Sequence, residues 1–130
     1  MGWREEIEGL IERENRAWND GDAVAYSEAV EPDCVFTNVF GQVFVGQDAF
    51  ERQHARLFAK VYKGSRLGQT IRHLRLVRPG VALVDTSSMP SLPAGDLGRP
   101  AISLFFTANL CSPIILNMSR LGIGCHPVAY

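Results

Sequence analysis

Cysteine is scarce in this chain and does not pair up: Cys34, Cys111 and Cys125 are the 3 cysteines, an odd number with no C-x-x-C spacing and no spaced histidine beside them. That argues against a disulfide framework and against a zinc site. Net charge is also nearly absent, −1 at a pI of about 6.3, which removes any global electrostatic case for a nucleic-acid partner. There is no G-x-S-x-G elbow, no Walker loop, no G-x-G-x-x-G ahead of a helix and no H-E-x-x-H. No metal and no cofactor is therefore expected. The first residues, Trp3-Arg4-Glu5-Glu6-Ile7-Glu8, are too acidic for a signal peptide, so a reducing cytoplasmic location is the default expectation.

Acidic residues nearly vanish after the midpoint. Residues 1–60 hold 12 acidic and 6 basic residues, and residues 61–130 hold 2 and 7. Arg66, Arg72, Arg75 and Arg78 are too widely spaced for a basic run. They read as solvated strand edges and a balancing patch, with an anionic-ligand site as the alternative. Charge is missing altogether from Ala101 to Ser119, 19 residues, long enough to span a bilayer. Asn109, Asn117 and the central Pro113 are costly in lipid, so the run reads as two buried strands joined by a turn at Cys111-Ser112-Pro113, and no membrane partner is expected.

What is present is ordinary for a globular protein: 130 residues, 46% apolar and 21% charged, which suits a single domain over 1–130. Trp3, Ile7, Leu10, Ile11, Glu14 and Trp18 form one helical stripe, and Asn19-Asp20-Gly21 stops it. Asp22 suits the N-cap of a short helix over Ala23–Val30, which Pro32 bars from continuing. Cys34–Phe40 and Val43–Val45 read as a hairpin, and Asp48–Val61 as a third helix with Phe50, His54, Leu57, Phe58 and Val61 on its apolar stripe. Arg66–Arg78 reads as a long strand in which Ile71, Leu74 and Leu76 alternate only if a bulge intervenes. Val81–Ser88, Ala101–Leu110 and Ile114–Leu121 are further strands, Met89–Pro100 is a loop, and Gly122–Tyr130 carries no clear pattern. Helices early and antiparallel strands late make an α+β fold, a curved, mostly antiparallel sheet wrapped as a cone around about three helices. A cone of this kind has an apolar interior pocket at its open end.

The stretch Trp18-Asn19-Asp20-Gly21-Asp22-Ala23, then Tyr26, then Glu31-Pro32-Asp33-Cys34-Val35-Phe36 resembles the start of nuclear transport factor 2-like proteins. Gly41, Gly46-Gln47-Asp48-Ala49-Phe50, His54, Leu57-Phe58 and Val77-Arg78-Pro79-Gly80-Val81-Ala82-Leu83-Val84 extend it over roughly residues 3–88. Within that superfamily the chain is most similar to the SnoaL-like and SgcJ/EcaC-type small proteins. The resemblance implies a cone-shaped fold, usually a homodimer, with a deep pocket between sheet and helices. Members include steroid isomerases, polyketide cyclases and dehydratases, and others that only bind ligands, so the reaction does not carry over with the fold. The final third departs from the pattern: Leu110-Cys111-Ser112-Pro113 stands where such relatives carry a charged turn, and Ile114–Tyr130 has no tryptophan.

Two residues are candidate catalysts. His54, on the inward stripe of the third helix, suits a general acid or base near neutral pH, the alternative being a core histidine bonded to a backbone carbonyl. Asp85 sits mid-strand with Val81 and Leu83, an alternation that favours the inside, where burial would suit it to proton abstraction. Trp18, Tyr26, Asn38, Phe58 and His73 are candidate pocket residues: Tyr26 or Asn38 to hold an oxyanion, Trp18 and Phe58 as walls, His73 and Asn38 depending on strand register. Asp33 reads as structural. The expected function is a pocket protein for an apolar or aromatic small molecule, working as a cofactor-free isomerase, cyclase or dehydratase by proton transfer, or else a non-catalytic ligand-binding or protein-interaction module of the same fold. A homodimer is expected through the outer sheet face, because apolar residues occupy both parities of Ile102–Phe106 and Ile114–Leu121 and the helices cover one face.

Overall fold

A computed structural model describes residues 2–38, 41–88 and 91, together with the backbone of 102–109 and 114–122. The first helix, α1, runs Trp3–Asn19 and buries Ile7, Leu10, Ile11, Glu14, Ala17 and Trp18, the expected stripe with Ala17 added and Trp3 only partly buried. Its end is made by Gly21 at φ 66°, a left-handed conformation that costs glycine little. The turn brings Gly21 N–H onto Trp18 O at 2.9 Å and Asp22 N–H onto Ala17 O at 2.9 Å. Asp22 then caps α2, Ala23–Glu28, by accepting from Ala25 N–H at 2.9 Å.

The strand β1 spans Val30–Thr37, starting earlier than the sequence suggests and running through Pro32 and Asp33. Asp33 is thus an exposed strand residue and not part of a turn before the strand. The strand β2, Val43–Val45, pairs antiparallel with β1 through Val35↔Val45, Phe36↔Phe44 and Thr37↔Val43. Helix α3, Gln47–Ala59, buries Phe50, His54, Leu57 and Phe58. Four strands follow: β3 over Gln69–Arg78, β4 over Val81–Ser88, β5 over Ile102–Asn109 and β6 over Ile114–Gly122. They complete one six-stranded sheet in the order β2-β1-β6-β5-β4-β3, antiparallel except for the parallel β1–β6 pair. The uncharged run after Ala101 therefore forms β5 and β6. No helix among the described residues is long and apolar enough to cross a membrane. The expected turn at Cys111–Pro113 and the tail beyond Gly122 lie outside the described residues, as does most of the expected Met89–Pro100 loop.

Two register shifts bend β3. Ile71 pairs with Thr86 and His73 with Asp85, leaving Arg72 as an extra residue; a second shift falls between Leu76 and Arg78. The bulge required by the sequence pattern is thus present, and it puts Ile71, Leu74 and Leu76 in register with Thr86, Val84 and Ala82. Those three β4 residues are fully buried, so this parity is the inner face, on which the helices sit.

The inner face decides where Asp85 goes. Along β4 the buried positions are Ala82, Val84, Thr86 and Ser88, and the half-buried ones are Val81, Leu83, Asp85 and Ser87. Asp85 does share a parity with Val81 and Leu83, but that parity is the outer face, which corrects the expectation that it points into the interior. The reason is one of packing: the buried positions of β4 take Ala, Val, Thr and Ser, and the larger Leu83 and Asp85 fall on the other parity.

Candidate functional site

His54 is fully buried on the inner side of α3. Its ring lies 4.1 Å from that of Phe50, 4.9 Å from Tyr26, 5.4 Å from Phe36, 6.1 Å from Phe58 and 6.4 Å from Trp18, centroid to centroid. Trp18 also meets Phe58 at 4.9 Å and Tyr62 at 5.3 Å, and Tyr26 stacks on Phe50 at 5.6 Å. Aromatic pairs at these separations gain beyond their area burial, so the nest holds its rings in place. Nδ1 of His54 lies 2.8 Å from the Phe50 carbonyl one turn earlier. A carbonyl only accepts, so Nδ1 carries the hydrogen of this bond. Of the sequence candidates, Trp18, Tyr26, Phe58 and His54 come together here.

Helix α1 is fastened to the segment between α3 and β3 by side-chain bonds. Trp18 Nε1 donates to Ser65 Oγ at 2.9 Å, and that hydroxyl donates to Tyr62 O at 2.7 Å. Asn19 Oδ1 accepts from Leu67 N–H at 2.6 Å. Gln69 Nε2 donates to Glu14 Oε2 at 2.9 Å, and Gln69 Oε1 accepts from the Thr86 hydroxyl at 2.9 Å. Glu14 is only 2% exposed. A carboxylate taken this far out of water is costly unless it is bonded, and the Gln69 amide, oriented by Thr86, supplies a donor. Glu14 was not singled out from the sequence, although the signal was available: it is the one charged residue on the apolar stripe of α1.

The other candidates lie elsewhere. Asn38 is buried but closes the β1–β2 turn: its Nδ2 donates to Gln42 Oε1 at 2.7 Å and its Oδ1 accepts from Gln42 N–H at 3.0 Å. On the outer face of the sheet His73 pairs with Asp85 at 3.2 Å, Nδ1 to Oδ2, with the histidine side chain 82% exposed and the aspartate 17%. His73 is thus outside the interior as well, which corrects its assignment to the interior pocket. His54 and Asp85, expected to share one pocket, occupy opposite sides of the sheet. The cysteine among the described residues, Cys34, is buried in β1. Burial, then the neighbouring Asp33 and Glu31 charges, push its thiol from 9.0 up to about 11, so it stays protonated and unreactive. Among the described residues no group of three or more His, Cys, Asp or Glu side chains is arranged to hold a metal.

No family model matches the sequence, and no curated protein matches it. The fold does find relatives among solved structures. A domain of unknown function with a cystatin-like fold from Nostoc punctiforme superposes with a TM-score of 0.85 at 17% identity, covering 94% of this chain and 78% of that one. An NTF-2-like protein of unknown function from Shewanella oneidensis gives 0.78 at 16% identity, covering 91% and 98%. A ketosteroid isomerase-like protein from Erwinia carotovora atroseptica gives 0.71 at 16% identity, covering 92% and 95%. At such identities the likeness speaks for architecture alone. With its helices on one face of a six-stranded sheet, and with neighbours of this kind across nearly its full length, the chain has the α+β fold of nuclear transport factor 2-like proteins.

Proposed function

We propose that this chain is a single domain that binds an apolar or aromatic small molecule inside a cone formed by the curved sheet and its helices, and that His54 moves a proton on that ligand without a cofactor. The observation that carries the reading is a fully buried histidine set among aromatic rings, with Nδ1 fastened to Phe50 O. A buried titratable group in an apolar setting is the arrangement expected of a general acid or base. The ketosteroid isomerase-like neighbour shares the architecture and adds weight to isomerisation within the proposed reaction class. In this reading Tyr26, Trp18 and Phe58 shape the apolar wall.

A second reading, binding without turnover, is favoured by one observation: Asp85 stands on the far side of the sheet, so it does not partner His54. The two separate in one experiment. The protein is mixed with 2-tetralone in D2O, deuterium uptake at the ketone's α-carbon is followed by mass spectrometry, and the His54 ring resonances are followed by NMR. Catalysis requires uptake above the buffer rate and a loss of about 10²-fold or more in His54→Gln. Shifted resonances without uptake would favour binding alone, and neither signal would overturn both.

The homodimer remains part of the proposal. Val35, Val43 and Val45 share the outer parity of β1 and β2 and are 38%, 58% and 68% exposed, an apolar patch suited to a second copy.

A further inference from the structure

The outer face of β3 and β4 holds a group of side chains that the interior reading leaves unused. His73 and Arg75 lie two residues apart on β3, facing Asp85 and Leu83 on β4 in the registered pairs His73↔Asp85 and Arg75↔Leu83. A cleft of about 560 Å³ opens over them, lined by His73, Leu74, Arg75, Leu83 and Asp85. The histidine is set for recognition: a carboxylate only accepts, so its Nδ1 hydrogen points to Asp85 Oδ2 and its Nε2 is the atom left for a ligand. Asp85 Oδ1 is buried and meets no hydrogen-bond partner among the described residues. Arg75 is exposed and makes no ion pair among the described residues, so its planar guanidinium stands ready to take a carboxylate bidentately.

We propose that this cleft is a second small-molecule site, for a small hydroxy-carboxylate. The anionic group binds Arg75, the hydroxyl binds Nε2 of His73, and Leu83 floors the cleft. The spacing fits: residues two apart on a strand are roughly 6.6 Å apart, and a carboxylate and an adjacent hydroxyl, each with one hydrogen bond outward, span a similar distance. A hydroxyl suits Nε2 in either charge state, since it donates to a lone pair or accepts from an N–H. Asp85 is a positioning residue that holds the ring. The site lies at the β3 edge of the sheet, at the opposite end from the valines of β1 and β2. It stands independently of the His54 reading.

The test is an NMR titration of the intact chain with glycolate, acetate and chloride at matched ionic strength, following the His73 ring and the Arg75 Nε–H. Saturable shifts with glycolate are expected, with glycolate about three- to tenfold tighter than acetate, the worth of one added hydrogen bond. Asp85→Ala, which removes the acceptor that orients the ring, should bring glycolate down to the level that acetate shows in the same variant. Arg75→Gln should abolish both, and Arg75→Lys should restore part of each. His54 resonances should not move. Shifts equal to those with chloride, equal affinity for glycolate and acetate, or the absence of any saturable shift would overturn the proposal.

Discussion

The two faces of one sheet treat the same kinds of residue in opposite ways. On the inner side a histidine, a glutamate and a threonine are buried, the histidine among aromatic rings, each tied by hydrogen bonds. On the outer face a histidine and an aspartate meet at 3.2 Å with the imidazole open to water. The difference lies in what covers them. Helices lay Trp18, Tyr26, Phe50 and Phe58 on the inner side, so each polar group there must find a protein partner or incur a large desolvation cost. The outer side leaves His73 and Arg75 in solvent, where a pair contributes little to stability and is free to serve recognition.

The comparison predicts a steep contrast in stability. Phe50→Ala and Trp18→Ala should each cost about 3–5 kcal/mol in urea unfolding, because each empties part of the nest. Gln69→Leu should cost about 1–3 kcal/mol by removing the donor from buried Glu14 and leaving Thr86 without its acceptor. Thr86→Val should then add less in the Gln69→Leu background than alone, since the two act through one chain of bonds. On the outer face His73→Ala should cost about 0–1 kcal/mol, the worth of a solvent-exposed pair. A loss there as large as that for Gln69→Leu would break the contrast. Val45→Lys should change stability by no more than about 0.5 kcal/mol in the dissociated chain. It should nevertheless halve the mass seen by light scattering if two copies meet on the valine patch; an unchanged mass would remove that patch from the interface.

Cys34 gives a check that depends on pH. Its thiol is raised from 9.0 to about 11 in the folded chain, so the folded state holds the proton more tightly. Its contribution is therefore fully present below pH 9 and is lost as the pH rises from 9 towards 11. In a chain carrying Cys111→Ser and Cys125→Ser, thiol labelling at pH 8 should be slow until denaturant is added. Rapid labelling of the folded chain would show β1 to be less enclosed than the inner face requires.

Much of this was legible in the residues because it is local. The i, i+4, i+7 stripe of α1, the glycine at its end and the Asp22 cap each depend on a few neighbours, and each stands where the pattern puts it. The bulge in β3 was legible too, since Ile71, Leu74 and Leu76 cannot share a face without one. The inward placement of His54 followed from Phe50, Leu57 and Phe58 on the same stripe. Asp85 and His73 were harder. Alternation sorts β4 into two sets but does not say which set the helices cover, and here the covered set holds the smaller side chains. The pairing of His73 with Asp85 needed the register across the β3–β4 turn, and that register is set by the bulge.

Helix and strand identity, their order and the composition of each stripe are therefore properties of the chain's local patterning, decided by side-chain periodicity and turn chemistry over a few residues. The tertiary structure alone decided which parity of β4 faces the helices, that Glu14 is bonded across to Gln69, and that His54 and Asp85 stand on opposite sides of the sheet. Those outcomes depend on how layers distant in sequence pack and on which polar groups that packing shuts away from water, and no window along the chain contains that information.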